Sequence, residues 1–297
     1  MRSGLRVSFA VAVALALPAF AQAPARVGFG PPPPSEQLAK QPQAKGAKGD
    51  QQRHYYFAAA KQEMPYHLYV PKNYDPKVGA PLIVALHGYG GNQDYFFSLV
   101  KDLPDLCEKY GVIFVAPMGY STGGWYGAPL SIPGAMPRSA SQANAPPPPP
   151  PPAIPPEEAR HERELSEADV LNVVAMVRKE YKVDPSRIYL MGHSMGGFGA
   201  YFLGQKHADI WAAVAPMSGT MPGVDYSLPR LAKTPMLISA GSTETATAAA
   251  ARAQVKEMKA MGMTADYAEV EGGTHMSMIP PTVPKIFAFF ATKKKGG

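Results

Sequence analysis

The run Gly192-His193-Ser194-Met195-Gly196, continued by Gly197, holds a serine between glycines at the spacing of a sharp strand-to-helix turn. Such a turn presents a hydroxyl as a nucleophile, but a hydroxyl is weak near neutral pH and needs a base beside it. In this arrangement the chain order is serine, acid, histidine, and His207 and His275 are the two histidines after Ser194. His207 lies at the polar end of the segment that follows the turn and precedes any fitting acid, so it reads as a surface residue. His275 ends Gly272-Gly273-Thr274-His275 and is the candidate base. Glu244 is the carboxylate of the loop after the apolar run Met236–Ala240, and is the candidate acid. Asp225 is its runner-up, and Asp266 begins a strand and reads as structural. Glu244 could instead serve only as a charge at the start of the next helix. Acyl transfer also needs donors aimed at a developing oxyanion. The Met195 N–H is one candidate; the Tyr89 N–H, in His87-Gly88-Tyr89-Gly90-Gly91, is the other. His87 itself reads as a brace for that loop. Trp125 and Tyr126, set between glycines, are candidates to line a substrate site, with plain packing as the alternative; His193, beside the nucleophile, joins them. No histidine–carboxylate spacing matches a metal motif, and no cofactor is implied.

These residues need a scaffold of alternating strands and helices. Continuous apolar runs at Ala80–Leu86, Val112–Ala116 and Ile188–Met191 have the length of strands buried on both faces. Further strands are expected at Trp211–Ala215, Met236–Ala240 and Ala265–Val270, after a hairpin of His54–Ala60 with Tyr66–Val70 around Met64-Pro65. Helical spacing is expected at Asn92–Tyr110 with a kink at Pro104, from about Arg163 to Tyr181, and at Gly196–Gln205, Ala246–Met261 and Val283–Ala291. Ser166 and Asp169 have the spacing of a capping box, and Cys107 shares an apolar face with Leu103 and Leu106, which makes it a core thiol. The alternation predicts an α/β fold: a mostly parallel, twisted sheet with helices on both faces and right-handed crossovers.

The 297 residues allow one large α/β domain or two small ones. At 46% hydrophobic and 18% charged residues the chain is not disordered as a whole. A single cysteine excludes an intramolecular disulfide. Residues 1–21 have the pattern of a signal peptide: Arg2 and Arg6, the apolar Val7–Phe20, then Ala19-Phe20-Ala21, with cleavage expected before Gln22. That predicts a periplasmic or secreted protein. The apolar run is too short for an ordinary membrane span. Removing the two arginines lowers the formal charge from +6 to +4, and three lysines of the remainder form the tail 293–295, so nucleic acid is not an expected partner. Residues 22–53, rich in Pro, Gln and Lys, read as a disordered linker, leaving 54–297 as the catalytic domain. Within it, about 129–156 is a proline-rich insertion with seven consecutive prolines at Pro146–Pro152. It reads as a surface arm or lid edge, or alternatively as the ligand of a proline-binding partner.

The stretch Val183-Asp184-Pro185-Ser186-Arg187-Ile188-Tyr189-Leu190-Met191 leading into Gly192–Gly197 resembles the nucleophile region of secreted α/β-hydrolases. Leu86-His87-Gly88 and Gly273-Thr274-His275 resemble the same group, over roughly residues 54–292. The nearest kinds are polyhydroxybutyrate depolymerase-like and feruloyl-esterase-like enzymes, with esterase relatives of prolyl oligopeptidase close by. The resemblance implies an α/β-hydrolase fold, serine chemistry on a small or polymeric carboxylic ester, and no cofactor. The family usually carries aspartate where this chain has Glu244. A peptidase of the prolyl oligopeptidase type, or a non-catalytic binding protein on the same fold, are the rival expectations.

Overall fold

The computed structural model describes residues 28–129, 155–220 and 228–296. The expected signal peptide, most of the proline-rich insertion and Asp225 lie outside the described residues.

Among these residues eight strands form one sheet in the order β1-β2-β4-β3-β5-β6-β7-β8: β1 (Gly49–Phe57), β2 (Gln62–Val70), β3 (Ala80–Leu86), β4 (Ile113–Pro117), β5 (Val183–His193), β6 (Ala213–Met217), β7 (Met236–Gly241) and β8 (Ala265–Val270). β1 and β2 pair antiparallel, and β2 joins β4 antiparallel; from β4 to β8 every pairing is parallel. The helices are α1 (Ser35–Leu38), α2 (Tyr95–Leu99), α3 (Leu103–Tyr110), α4 (Pro156–Glu180), α5 (Met195–Lys206), α6 (Thr245–Ala260) and α7 (Ile279–Ala291).

Side chains of a strand alternate between faces, so β3 feeds two cores. Leu82, Val84 and Leu86 join Val170, Val174, Leu203 and Val255 on one side. Ile83 and Ala85 join Leu103, Cys107, Ile286 and Phe290 on the other. Full burial on both faces explains why β3 and β4 are unbroken apolar runs. Cys107 is fully buried in the second core, and burial pushes its thiol pKa well up.

Several boundaries differ from expectation for physical reasons. The turn of the hairpin falls at residues 58–61, so Met64 and Pro65 lie inside β2. The helix expected at 92–110 is two helices, with Pro104 in the first turn of α3, where its missing N–H costs nothing. β5 begins at Val183, where it pairs with Ala80 ahead of a register shift that carries the strand past Pro185; the Asp184 carboxylate accepts from Ser186 and Arg187 within that irregular stretch. α4 begins at Pro156, seven residues before Arg163, so Ser166 and Asp169 are mid-helix and cap nothing of their own.

Residues 28–53, expected as a linker, are folded onto the domain. Leu38 is buried, Ser35 accepts the Glu63 N–H, and the Arg53 guanidinium pairs with Glu180 at 2.8 Å. Further upstream, Phe29 bridges Gly91, and Gly30 N–H donates to Gly90 O at 2.9 Å. A polar, proline-rich strap cannot fold alone, but it needs few contacts to settle on a surface that already exists.

Candidate active site

The candidate nucleophile, base and acid and the candidate oxyanion loop sit just past the carboxyl ends of parallel strands, where open α/β sheets gather ligands. Ser194 follows β5, Glu244 follows β7 and His275 follows β8; the loop His87–Gly91 follows β3. Short backbone bonds lock these ends together. Ser194 N–H donates to Met217 O at 2.8 Å, Ser218 N–H to Ser239 O at 2.8 Å, and Thr243 N–H to Gly273 O at 3.1 Å.

Ser194 has φ 56° and ψ −116°, a left-handed backbone that L side chains rarely adopt. Strain of roughly 1–3 kcal/mol is stored there. The glycines permit it. A Cβ on Gly192 would stand 2.1 Å from Gly196 O, and one on Gly196 would stand 2.1 Å from Leu86 O and 2.7 Å from His87 O. Those obstacles are backbone and cannot swing away. Gly196→Ala should therefore cost about 3 kcal/mol or more in a urea titration; a loss under about 1 kcal/mol would show that the turn is looser than this packing implies.

The structure brings Ser194, His275 and Glu244 into one hydrogen-bonded run. His275 Nε2 lies 2.9 Å from Ser194 Oγ, and His275 Nδ1 lies 2.6 Å from Glu244 Oε1. Glu244 Oε2 accepts from Ser218 Oγ at 2.7 Å and from Gly241 N–H at 3.0 Å. Burial alone would raise the Glu244 pKa; hydrogen bonds from His275, Ser218 and Gly241 outweigh it and hold the carboxyl below its ordinary value. A fixed carboxylate, an imidazole and a buried hydroxyl in this order can move a proton off Ser194 while Glu244 stabilises the imidazolium. Glu244 also stands at the N-terminus of α6, so its helix-charge role and its contact with His275 coexist.

Met195 opens α5, and a first helical N–H has no partner within the helix. Tyr89 is 51% exposed on its loop. His87 is buried beneath it, with ring nitrogens 2.8 Å from Gly88 O and 2.7 Å from Met118 O, and burial lowers its pKa. It braces the loop, as expected. His207 lies 2.8 Å from Glu167 and belongs to a surface ion cluster. Asp266 is more than half exposed and faces Lys259. Among the described residues no group of three or more His, Cys, Asp or Glu could hold a metal ion.

Two of the expected substrate-lining residues are not at the surface. Tyr126 is fully buried, wedged against Gly119 and Gly199, and donates its hydroxyl to His87 O at 3.1 Å. The glycines that make room for its ring are Gly119 and Gly199, whereas the flanking Gly124 and Gly127 pack against Ser166, Phe202 and Glu167. His193 is also fully buried: its Nε2 lies 2.7 Å from His275 O, and its Nδ1 lies 2.8 Å from Tyr95 Oη. Burial, then the charge of nearby His275, lower its pKa to about 3, so it stays neutral. Trp125 remains partly exposed and packs against Phe198 at 5.9 Å between ring centroids.

Four residues around the site were not singled out for it by their local sequence. Tyr95 sits in the aromatic run Tyr95-Phe96-Phe97, which reads as core. Ser218 stands at the end of β6, and strand-end position is the one signal that points to it. Ser166 and Asp169 support the loop after β4: Ser166 Oγ accepts the Tyr126 N–H at 3.0 Å, and Asp169 accepts from Gly119 N–H at 2.7 Å, Tyr120 N–H and Tyr55 Oη. Burial pushes the Asp169 pKa up to about 6 against those three donors.

A mostly parallel sheet, a strained serine turn and an ordered Ser194–His275–Glu244 run define an α/β-hydrolase. The chain belongs to the Esterase family, whose model matches residues 58–226. It is 27% identical to feruloyl esterase B of Neurospora crassa over 154 residues, 51% of this chain and 42% of that protein. It is also 27% identical to the bifunctional acetylxylan esterase/xylanase XynS20E of Neocallimastix patriciarum over 153 residues, 52% of this chain and 17% of that protein. The matches thus span less than half the length of either relative. The fold is similar to the S-formylglutathione hydrolase from Agrobacterium tumefaciens, with a TM-score of 0.59 and 17% identity over 84% of this chain and 97% of that one.

Proposed function

We propose that the chain is an exported serine esterase that cleaves carboxylic esters through an acyl-enzyme on Ser194. The observation that carries this reading is the hydrogen-bonded run from Glu244 through His275 to Ser194 on a strained turn. Ser194 Oγ attacks the acyl carbon as His275 Nε2 takes its proton. The tetrahedral oxyanion is received by the N–H groups of Met195 and Tyr89. Collapse expels the alkoxide, which takes the proton back from His275. Water then attacks the acyl carbon with its proton going to His275, and the acid leaves as Ser194 is reprotonated.

Three large apolar side chains are exposed near the reacting groups: Tyr89 on the oxyanion loop, Met276 next to His275, and Phe29 on the strap paired with Gly91. They favour an ester with an apolar or aromatic part, in keeping with the feruloyl esterase relative. Trp125 is the remaining sequence-chosen candidate for contact with substrate.

The test is hydrolysis of nitrophenyl esters of increasing acyl length, together with methyl ferulate and an acetylated sugar, followed by mass analysis of a quenched reaction. Turnover with an acyl group trapped on the Ser194 peptide is the expected result. A folded protein that cleaves no ester would overturn the reading. Cleavage of proline peptides in its place would favour the peptidase rival. Export rests on Arg2, Arg6 and Val7–Phe20, and is checked by N-terminal sequencing of protein recovered outside the cytoplasm, where Gln22 should be first.

A further inference from the structure

Beneath the reacting groups lies a buried polar pair that the acyl-transfer steps do not use. Tyr95 is 1% exposed and His193 0%. The carbonyl of His275 can only accept, so the 2.7 Å contact makes His193 Nε2 the donor. A neutral imidazole then has a bare Nδ1, which accepts the Tyr95 hydroxyl at 2.8 Å. The proton sequence is fixed: Tyr95 O–H to His193 Nδ1, then His193 Nε2–H to the His275 main chain. Burial raises the Tyr95 pKa, so this hydroxyl keeps its proton.

The same two side chains carry the oxyanion loop. A Cβ on Gly88 would stand 3.1 Å from Tyr95 Oη and 3.2 Å from His193 Nδ1, so the backbone of that loop rests on the pair. The pair thus touches both halves of the machinery, the base on one side and the Gly88–Tyr89 backbone on the other. His275 needs such a support. It sits on a loop whose neighbours Thr274, Met276 and Ser277 are exposed. Its side chain is held by Glu244 and Ser194; its own carbonyl takes the hydrogen bond from His193, while the peptide before it is held by Met278 N–H to Thr274 O.

We propose that Tyr95 and His193 are positioning residues that set the His275 main chain and the Tyr89 N–H in register with Ser194. This rests on the esterase reading and extends it to the level below the reacting atoms. Near-attack geometry is steep in distance, and a 1 Å misplacement can cost about 100-fold in rate.

Three variants of the full chain test it. His193→Met keeps comparable bulk and removes the donor, His193→Gln keeps an N–H that can reach the His275 carbonyl, and Tyr95→Phe removes one hydroxyl. With a nitrophenyl ester, His193→Met and Tyr95→Phe should lower kcat by roughly 10- to 100-fold with KM within about twofold. His193→Gln should recover most of the loss seen in His193→Met. A role in packing alone would make the glutamine variant no better than the methionine one, and that result overturns the proposal. Parent-like kcat in both His193→Met and Tyr95→Phe overturns it too. If the parent cleaves no ester, the esterase reading fails separately, and the variants are compared by their rate of covalent capture of Ser194 by a fluorophosphonate. That capture uses the same base and oxyanion donors; equal rates across the series would then overturn the positioning.

Discussion

Ser194→Ala should abolish ester hydrolysis, a loss on the order of 10⁵-fold or more, or about 7 kcal/mol of barrier. No other described hydroxyl is hydrogen-bonded to His275, so no substitute nucleophile stands ready. The fold should not follow the activity. Alanine has the same Cβ as serine, so the strain at φ 56° is unchanged, and the protein loses one hydrogen bond worth about 1 kcal/mol. The melting temperature should stay within roughly 4 °C of the parent. Ser194→Gly should be equally inactive yet more stable than Ser194→Ala, because glycine adopts this backbone without steric cost. Calorimetry of the two inactive variants checks the strain directly: a glycine variant less stable than the alanine one would mean that the turn stores none. Residual turnover above a hundredth of the parent in Ser194→Ala would move the nucleophile elsewhere.

Ser194, His275 and Glu244 were legible from the sequence because each is announced by its neighbours. A glycine-framed serine after an apolar run, a histidine after Gly272-Gly273, and a lone carboxylate past a strand are local patterns. The parallel sheet was legible for a similar reason: strands buried on both faces leave uninterrupted apolar runs, and β3 falls on the expected residues and β4 within one residue of them. What stayed hidden is non-local. Ser166 and Asp169 have the spacing of a cap, yet their oxygens face the backbone of the loop at 119–126, some 40 to 50 residues away in sequence. His193 looks like a substrate contact because it adjoins the nucleophile, but a strand residue points to the face opposite its neighbour. The strap at 28–53 has the composition of a linker, and composition carries no information about a surface formed by residues far along the chain.

Glu244→Gln should lower kcat by roughly 10⁴-fold, and the reason lies in which way the amide must turn. Glu244 Oε2 accepts from both Ser218 Oγ and Gly241 N–H. The glutamine oxygen is the one atom that can replace it there, so the NH₂ group is left facing His275 Nδ1. That nitrogen must then present its lone pair, which puts the imidazole proton on Nε2, toward Ser194. The base is already protonated at the position where it should accept, and Ser194 keeps its proton. Glu244→Ala frees the imidazole to take either tautomer and should lose less than the glutamine variant, although it leaves the Ser218 hydroxyl and the Gly241 N–H without a partner. Substrate binding is untouched, so KM should change little in either variant. The same substitution alters stability in a defined direction. The folded Glu244 pKa lies below its ordinary value, so its contribution to stability is present above the unfolded carboxyl pKa of about 4.3 and is lost as pH falls through the folded value. Glu244→Gln removes that ionisation, and the gap in melting temperature between parent and variant should narrow as the solution is acidified. A gap that widens toward low pH would mean that the carboxyl is held protonated beside His275, and the mechanism would need another acid.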